Sequence, residues 1–172
     1  MGNAKIHFII TGGTIDSYYD GSKDTTVPNK HSAIPDFIKS MKLHQKFEFT
    51  EVCMKDSRNL TPQDRTNIMV AIKKSKCSKF IVTHGTYTLT DTAKYIKAKL
   101  NDKNKTIIFT GSMIPLIGFS PSDAPFNLGH AIAKLENLGG GVYISMNGSL
   151  FTPEEVIKQL NQGRFISVFG EK

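Results

Sequence analysis

The sequence has 172 residues, 39% of them hydrophobic and 22% charged, and a net charge of +7. That length and balance fit one globular domain with a real core, and they exclude disordered and fibrous classes. No apolar run approaches the roughly 20 residues of a membrane span, so no membrane partner is expected.

The start, Met1 to Lys5, runs directly into the apolar stretch Ile6 to Ile10. That stretch is too short for a signal-peptide core and has no small-residue cleavage site behind it, so a cytoplasmic location is expected. Gly2 suggests a myristoylation signal, but Ile6 stands where that motif needs Ser or Thr. Short β-rich runs then alternate with longer amphipathic stretches. Strands are expected at Lys5–Ile10, Phe47–Met54, Lys79–Thr83, Thr106–Thr110 and Gly141–Met146, with a weaker one at Phe165–Phe169. Helices are expected at Ala33–Met41, Pro62–Ser75, Leu89–Leu100, Ala124–Leu138 and Pro153–Leu160. Thr61-Pro62 sets a cap before a proline at the first helical position, and Thr152-Pro153-Glu154-Glu155 repeats that arrangement. Asp123 reads as a cap for the helix beginning at Ala124. The stretch Asp16 to Pro28 reads as a mobile loop.

Strict alternation of strands and helices argues a three-layer, doubly wound α/β domain, its mainly parallel sheet built from right-handed crossovers. Ligands of such folds bind beyond the carboxyl ends of the strands. The polar tails there are Thr11 to Thr14, Asp56 to Asn59, Thr83 to Thr86 and Thr110 to Ser112, which should converge on one rim. The positive charge is mostly lysine spread over several helices without interleaved aromatics. Solvated helix faces explain it, and no nucleic-acid partner is expected. Cys53 and Cys77 have no metal-ligand spacing and read as buried reduced thiols; no metal or cofactor is expected.

Gly12-Gly13-Thr14 alone is a weak signal, lacking the spacing of a dinucleotide or phosphate loop. Its neighbours add to it. Thr11 to Ile15, Asp56 to Pro62, His84 to Thr88 with Asp91 behind it, Thr110 to Pro115 and Ser122 to Leu128 resemble, in order, the motifs of the L-asparaginase family. The resemblance covers nearly the whole chain and implies an asparaginase N-terminal-type domain over 1–172, without a counterpart of the family's second domain. It makes Thr14 the nucleophile and Thr86 the second threonine, and it places the family's lysine at Lys158, in the last expected helix, where a Thr–Lys pair can activate the hydroxyl. It also gives Ser57 the substrate's α-carboxylate, and makes the backbone N–H groups of Thr86 and Gly111-Ser112 an oxyanion site. His84 reads as a packed structural histidine.

This sequence departs from the family twice. Tyr87 stands where the family has the aspartate that joins the Thr–Lys relay and binds the α-ammonium. The loop tyrosine that assists the nucleophile has no clear match: Thr26 aligns with it, and Tyr18 and Tyr19 lie earlier. In addition, Arg58 beside Ser57 replaces a usually neutral residue. Arg58 and Tyr87 together shift local charge by two positive units if both side chains face the ligand. Three readings stand: an amidohydrolase acting on asparagine or a related short amide, a small-ligand binding or regulatory protein, and an ammonia-producing subunit of a larger amidotransferase. A homodimer or higher homo-oligomer is implied by the resemblance alone.

Overall fold

The strands of the core alternate their side chains between two helical layers. The computed structural model describes residues 5–170. In chain order its elements begin β1 (Ile6–Gly12), β2 (Ser17–Asp20), β3 (Thr25–Pro28), α1 (Ile34–Ser40), β4 (Phe47–Lys55), α2 (Pro62–Lys74) and β5 (Lys79–Thr83). They continue with α3 (Leu89–Lys99), β6 (Thr106–Thr110), α4 (Ala124–Lys134), β7 (Gly141–Met146), β8 (Ser149–Phe151), β9 (Val156–Gln159) and β10 (Arg164–Ser167). The main sheet runs β4-β1-β5-β6-β7-β8. Its first five strands pair in parallel, and β8 returns antiparallel to β7.

Ile6, Phe8 and Ile10 of β1, with Ile81 and Ile108, pack beneath α1 and α4. Ile9, Phe80, Val82, Ile107 and Phe109 pack on the other face, beneath α2 and α3. A sheet covered on both faces needs continuous apolar strands, which is why these segments lack a polar alternation. Each such side chain contributes about 1.5–3 kcal/mol on burial. Thr61 caps α2 as expected: its hydroxyl accepts from Asp64 N at 3.2 Å, and the Asp64 carboxylate accepts from Thr61 N at 2.8 Å.

The structure corrects three expectations. The crossovers β4-α2-β5, β5-α3-β6 and β6-α4-β7 all advance in one direction across the sheet, yet α4 lies on the face opposite α2 and α3. The α4 crossover therefore has the hand opposite to the α2 and α3 crossovers, so they are not all right-handed. The seven-residue α1 is too short to cover β5 and β6 on its face, and the apolar stripe Leu128, Ala131 and Ile132 of α4 fills that area. Secondly, Pro153–Leu160 is not a helix. Glu155 turns back on Thr152, accepting from its N–H at 2.7 Å, and the chain then enters β9, which pairs antiparallel with β10. Val156 and Phe165 bury themselves in the core from these strands, and this packing of β-branched and aromatic residues overrides the capping signal. Thirdly, the expected loop at Asp16 to Pro28 is a hairpin, with β2 and β3 in antiparallel register.

Candidate functional site

Four turns meet at the carboxyl rim of β1, β4, β5 and β6, and glycines set how closely. Gly13 has φ +83, and a Cβ there would run into the Gly85 backbone. A Cβ on Gly85 would lie 2.7 Å from the Ser57 side chain. The turns carrying Thr14, Ser57 and Thr86 therefore touch, at the place where the strand order reverses around β1. Gly111 completes the row, because its α-carbon lies against the His84 carbonyl.

Thr14 is partly exposed and opens a single 3-10 turn, Thr14–Asp16. Asp16 anchors that turn from below. Its buried carboxylate accepts from Ala33 N at 2.8 Å and from the Ser32 hydroxyl, while its carbonyl accepts from Asn29 N at 2.8 Å. Burial raises the Asp16 pKa, and the hydrogen bonds from Ser32 and Ala33 oppose the rise. Sequence reasoning missed this role; the signal was an acid two residues after the threonine, followed by Ser32 before a helix. Tyr18 and Tyr19 extend along β2, and Tyr19 donates to Asp24 within the hairpin.

The Lys158 ammonium donates to the Thr86 hydroxyl at 2.7 Å, across 72 residues of sequence. Lys158 reaches it from β9 rather than from a helix. Its Nζ also sits 4.2 Å from the centroid of the Tyr87 ring, and the Arg58 guanidinium carbon lies 4.7 Å from the same centroid. Tyr87 is 55% exposed, so its ring is an accessible platform between two cations. Partial burial lowers the Lys158 pKa, Arg58 lowers it further, and Asp56 opposes. Arg58 is held by Asp56 through Nε at 3.0 Å and a terminal nitrogen at 2.7 Å. That two-pronged ion pair holds the Asp56 carboxyl below the usual range. The pair is neutral as a unit, so the Arg58 charge is balanced locally by Asp56. Asp56 is a further site residue that the motif contained without a role.

Ser57 is only 2% exposed; its carbonyl accepts from the Thr88 hydroxyl at 2.8 Å, locking the second turn to the third. Ser112 is fully buried, and its hydroxyl donates to the Ile114 carbonyl. Asp123 does not cap α4. Its carboxylate accepts from Met113 N at 2.9 Å, Ile114 N at 2.9 Å and Asn127 Nδ2 at 3.0 Å. Asn127 in turn donates to the Gly111 carbonyl at 3.0 Å, so α4 buttresses the fourth turn. His84 is fully buried with Nδ1 2.8 Å from the Gly85 carbonyl, and burial pushes its pKa down to about 4. A neutral, packed histidine is what the sequence implied.

The family model for the asparaginase N-terminal domain matches residues 5–165. The chain belongs to that family. The glutaminase-asparaginase of Acinetobacter glutaminasificans is 34% identical over 104 residues, covering 58% of this chain and 31% of that protein. L-asparaginase 2 of Escherichia coli (strain K12) is 28% identical over 168 residues, 89% of this chain and 46% of that one. The crystal structure of L-asparaginase I from Vibrio cholerae superposes with a TM-score of 0.81 at 26% identity, covering 96% of this chain and 52% of that chain. The chain thus spans about half the length or less of these asparaginases. Among the described residues no helix is long and apolar enough to cross a membrane. The one compact group of metal-ligating side chains among them lies at the opposite end of the sheet.

Proposed function

We propose that this domain carries an amidohydrolase site that hydrolyses the side-chain amide of an asparagine-like or other short amide, with Thr14 as nucleophile and Thr86–Lys158 as the proton-handling pair. The observation that carries this reading is the 2.7 Å bond between Lys158 and Thr86. A lysine whose pKa is lowered by burial spends more time as the free amine. In that form Nζ accepts the Thr86 proton, and the Thr86 oxygen can relay a proton from an attacking hydroxyl or water. Thr14, on the touching turn, attacks the amide carbonyl, and in this reading the backbone N–H groups of Thr86 and of the Gly111-Ser112 turn serve the developing oxyanion. Ser57 and Asp56 supply the neighbouring polar wall for the rest of the ligand. No nucleic acid, membrane or cofactor enters this reading, and a homo-oligomer closing the pocket from a second copy is part of it.

The test is ammonia release from asparagine, glutamine and N-acylated or deaminated analogues. Thr14→Ala is expected to abolish turnover with an unchanged circular dichroism spectrum, because the acyl-enzyme route is lost outright. Lys158→Met is expected to lower kcat by about 10²–10⁴-fold, the range of a general base. Undiminished activity in Thr14→Ala would place the chemistry elsewhere. One observation favours a second reading, a binding protein without turnover: Tyr87 occupies the position of the carboxylate that the family couples to its lysine. In that case both variants retain ligand affinity, and the wild type releases no ammonia from any amide.

A further inference from the structure

The end of the sheet away from the rim holds a second constellation. His7 and Glu48 are direct register partners on β1 and β4, so their side chains leave the sheet on the same face. Cys77 stands two residues before Lys79, the β5 partner of Ile6, which brings its thiol to the same corner. His7 Nε2 is 3.9 Å from one Glu48 oxygen, and the Cys77 sulfur is 3.9 Å from the other. The three donor atoms all lie within 4.8 Å of one another.

We propose that His7, Glu48 and Cys77 form a zinc-class metal site with one open coordination position. A tetrahedral ion with N, O and S ligands at about 2.0–2.3 Å needs donors about 3.3–3.6 Å apart. The two 3.9 Å pairs must close by about 0.3–0.6 Å and the widest pair by at most about 1.5 Å, within the reach of a rotamer change at Glu48 or Cys77. The nitrogen, oxygen and sulfur set selects zinc over magnesium or calcium.

The surroundings fit an oriented ligand. His7 is 3% exposed, with Nδ1 2.8 Å from the Ser75 hydroxyl and Nε2 2.8 Å from the Thr50 hydroxyl. Donation from Nδ1 to Ser75 fixes the tautomer that leaves the Nε2 lone pair toward Glu48, and the metal takes the place of the Thr50 contact. Lys105 donates to the carbonyls of Ser75 and Cys77, each at 3.0 Å, and so pins the segment that carries the thiol. The exposed Lys5 ammonium, 3.4 Å from Glu48, is the contact an ion displaces. An open cleft of about 460 Å³, lined by Lys5, Lys74 and Lys76 besides two of the ligands, provides entry and room for water as the fourth ligand. The site lies at the other end of β1, about 20 Å from the rim, so it does not rest on the proposed hydrolysis.

The untagged 172-residue chain, stripped with chelator, is titrated with Zn²⁺ against a chromogenic chelator and separately loaded with Co²⁺. One Zn²⁺ per chain is expected, weakened at least tenfold by Cys77→Ser and by Glu48→Gln. The cobalt form should show a thiolate-to-metal charge-transfer band that is lost in Cys77→Ser and kept in Cys53→Ser. Circular dichroism checks that each variant is folded. No competition at micromolar zinc, no thiolate band, or binding that both substitutions leave intact would each overturn the site.

Discussion

Restoring an acid at position 87 tests how the site discriminates ligands. Tyr87→Asp puts a carboxylate near the position of a ring whose centroid is 4.2 Å from the Lys158 ammonium. Two unit charges at that distance interact by about 4 kcal/mol at an effective dielectric of 20, and by about 1 kcal/mol in bulk water. Tyr87 is 55% exposed and Lys158 is half-buried, so screening holds the gain near the lower figure. A ligand α-ammonium would meet the same carboxylate at similar strength. A stabilisation of about 1–2 kcal/mol corresponds to a gain of about 5- to 30-fold in kcat/KM for free asparagine. Turnover of N-acylated or dicarboxylic analogues should fall, because they lose a cation-rich platform and meet an anion. The same substitution raises the Lys158 pKa, reversing the lowering by burial and Arg58. The alkaline rise of the rate should therefore move to higher pH. The assay is steady-state ammonia release across pH for both proteins. Efficient wild-type hydrolysis of free asparagine, unchanged or lowered in Tyr87→Asp, would refute the reasoning.

Two stability predictions follow from the packing of the rim. His84, with a pKa pushed down to about 4 from 6.5, binds fewer protons folded than unfolded between those values. The sign is then fixed: the folded state loses stability as pH falls from 6.5 to about 4, by about 3 kcal/mol in all. Urea midpoints from pH 7 to 4 should decline in the wild type and decline less in His84→Gln, and parallel curves would remove His84 as the cause. Gly13→Ala forces a side chain into the left-handed region and against the Gly85 backbone, and should cost about 2–4 kcal/mol, read as a lowered Tm. An unchanged Tm would mean that the first and third turns do not meet as described.

The sequence by itself determined what local pattern can carry. Continuous apolar runs such as Phe80 to Val82 marked strands buried on both faces, and the Thr61-Pro62 signal marked a helix start that the structure reproduces. The polar strand tails located the rim because that consequence follows from parallel strand direction alone. What only the tertiary structure decided depends on partners distant along the chain. The segment 153–160 carries a helix-start signal, yet Val156 had a core to fill and β10 to pair with, so the local preference lost. Lys158 meets Thr86 from a strand rather than from the expected helix, because a strand delivers a side chain to the rim as well as a helix does. Where the Arg58 guanidinium points was decided by Asp56, two residues earlier, which holds it. Asp123 sits at the start of α4 but serves the Met113 and Ile114 amides, because a carboxylate goes to whichever unpaired N–H groups the fold places within reach. The corner of His7, Glu48 and Cys77 has no sequence spacing at all, since β1, β4 and the approach to β5 become neighbours only when strand order is set.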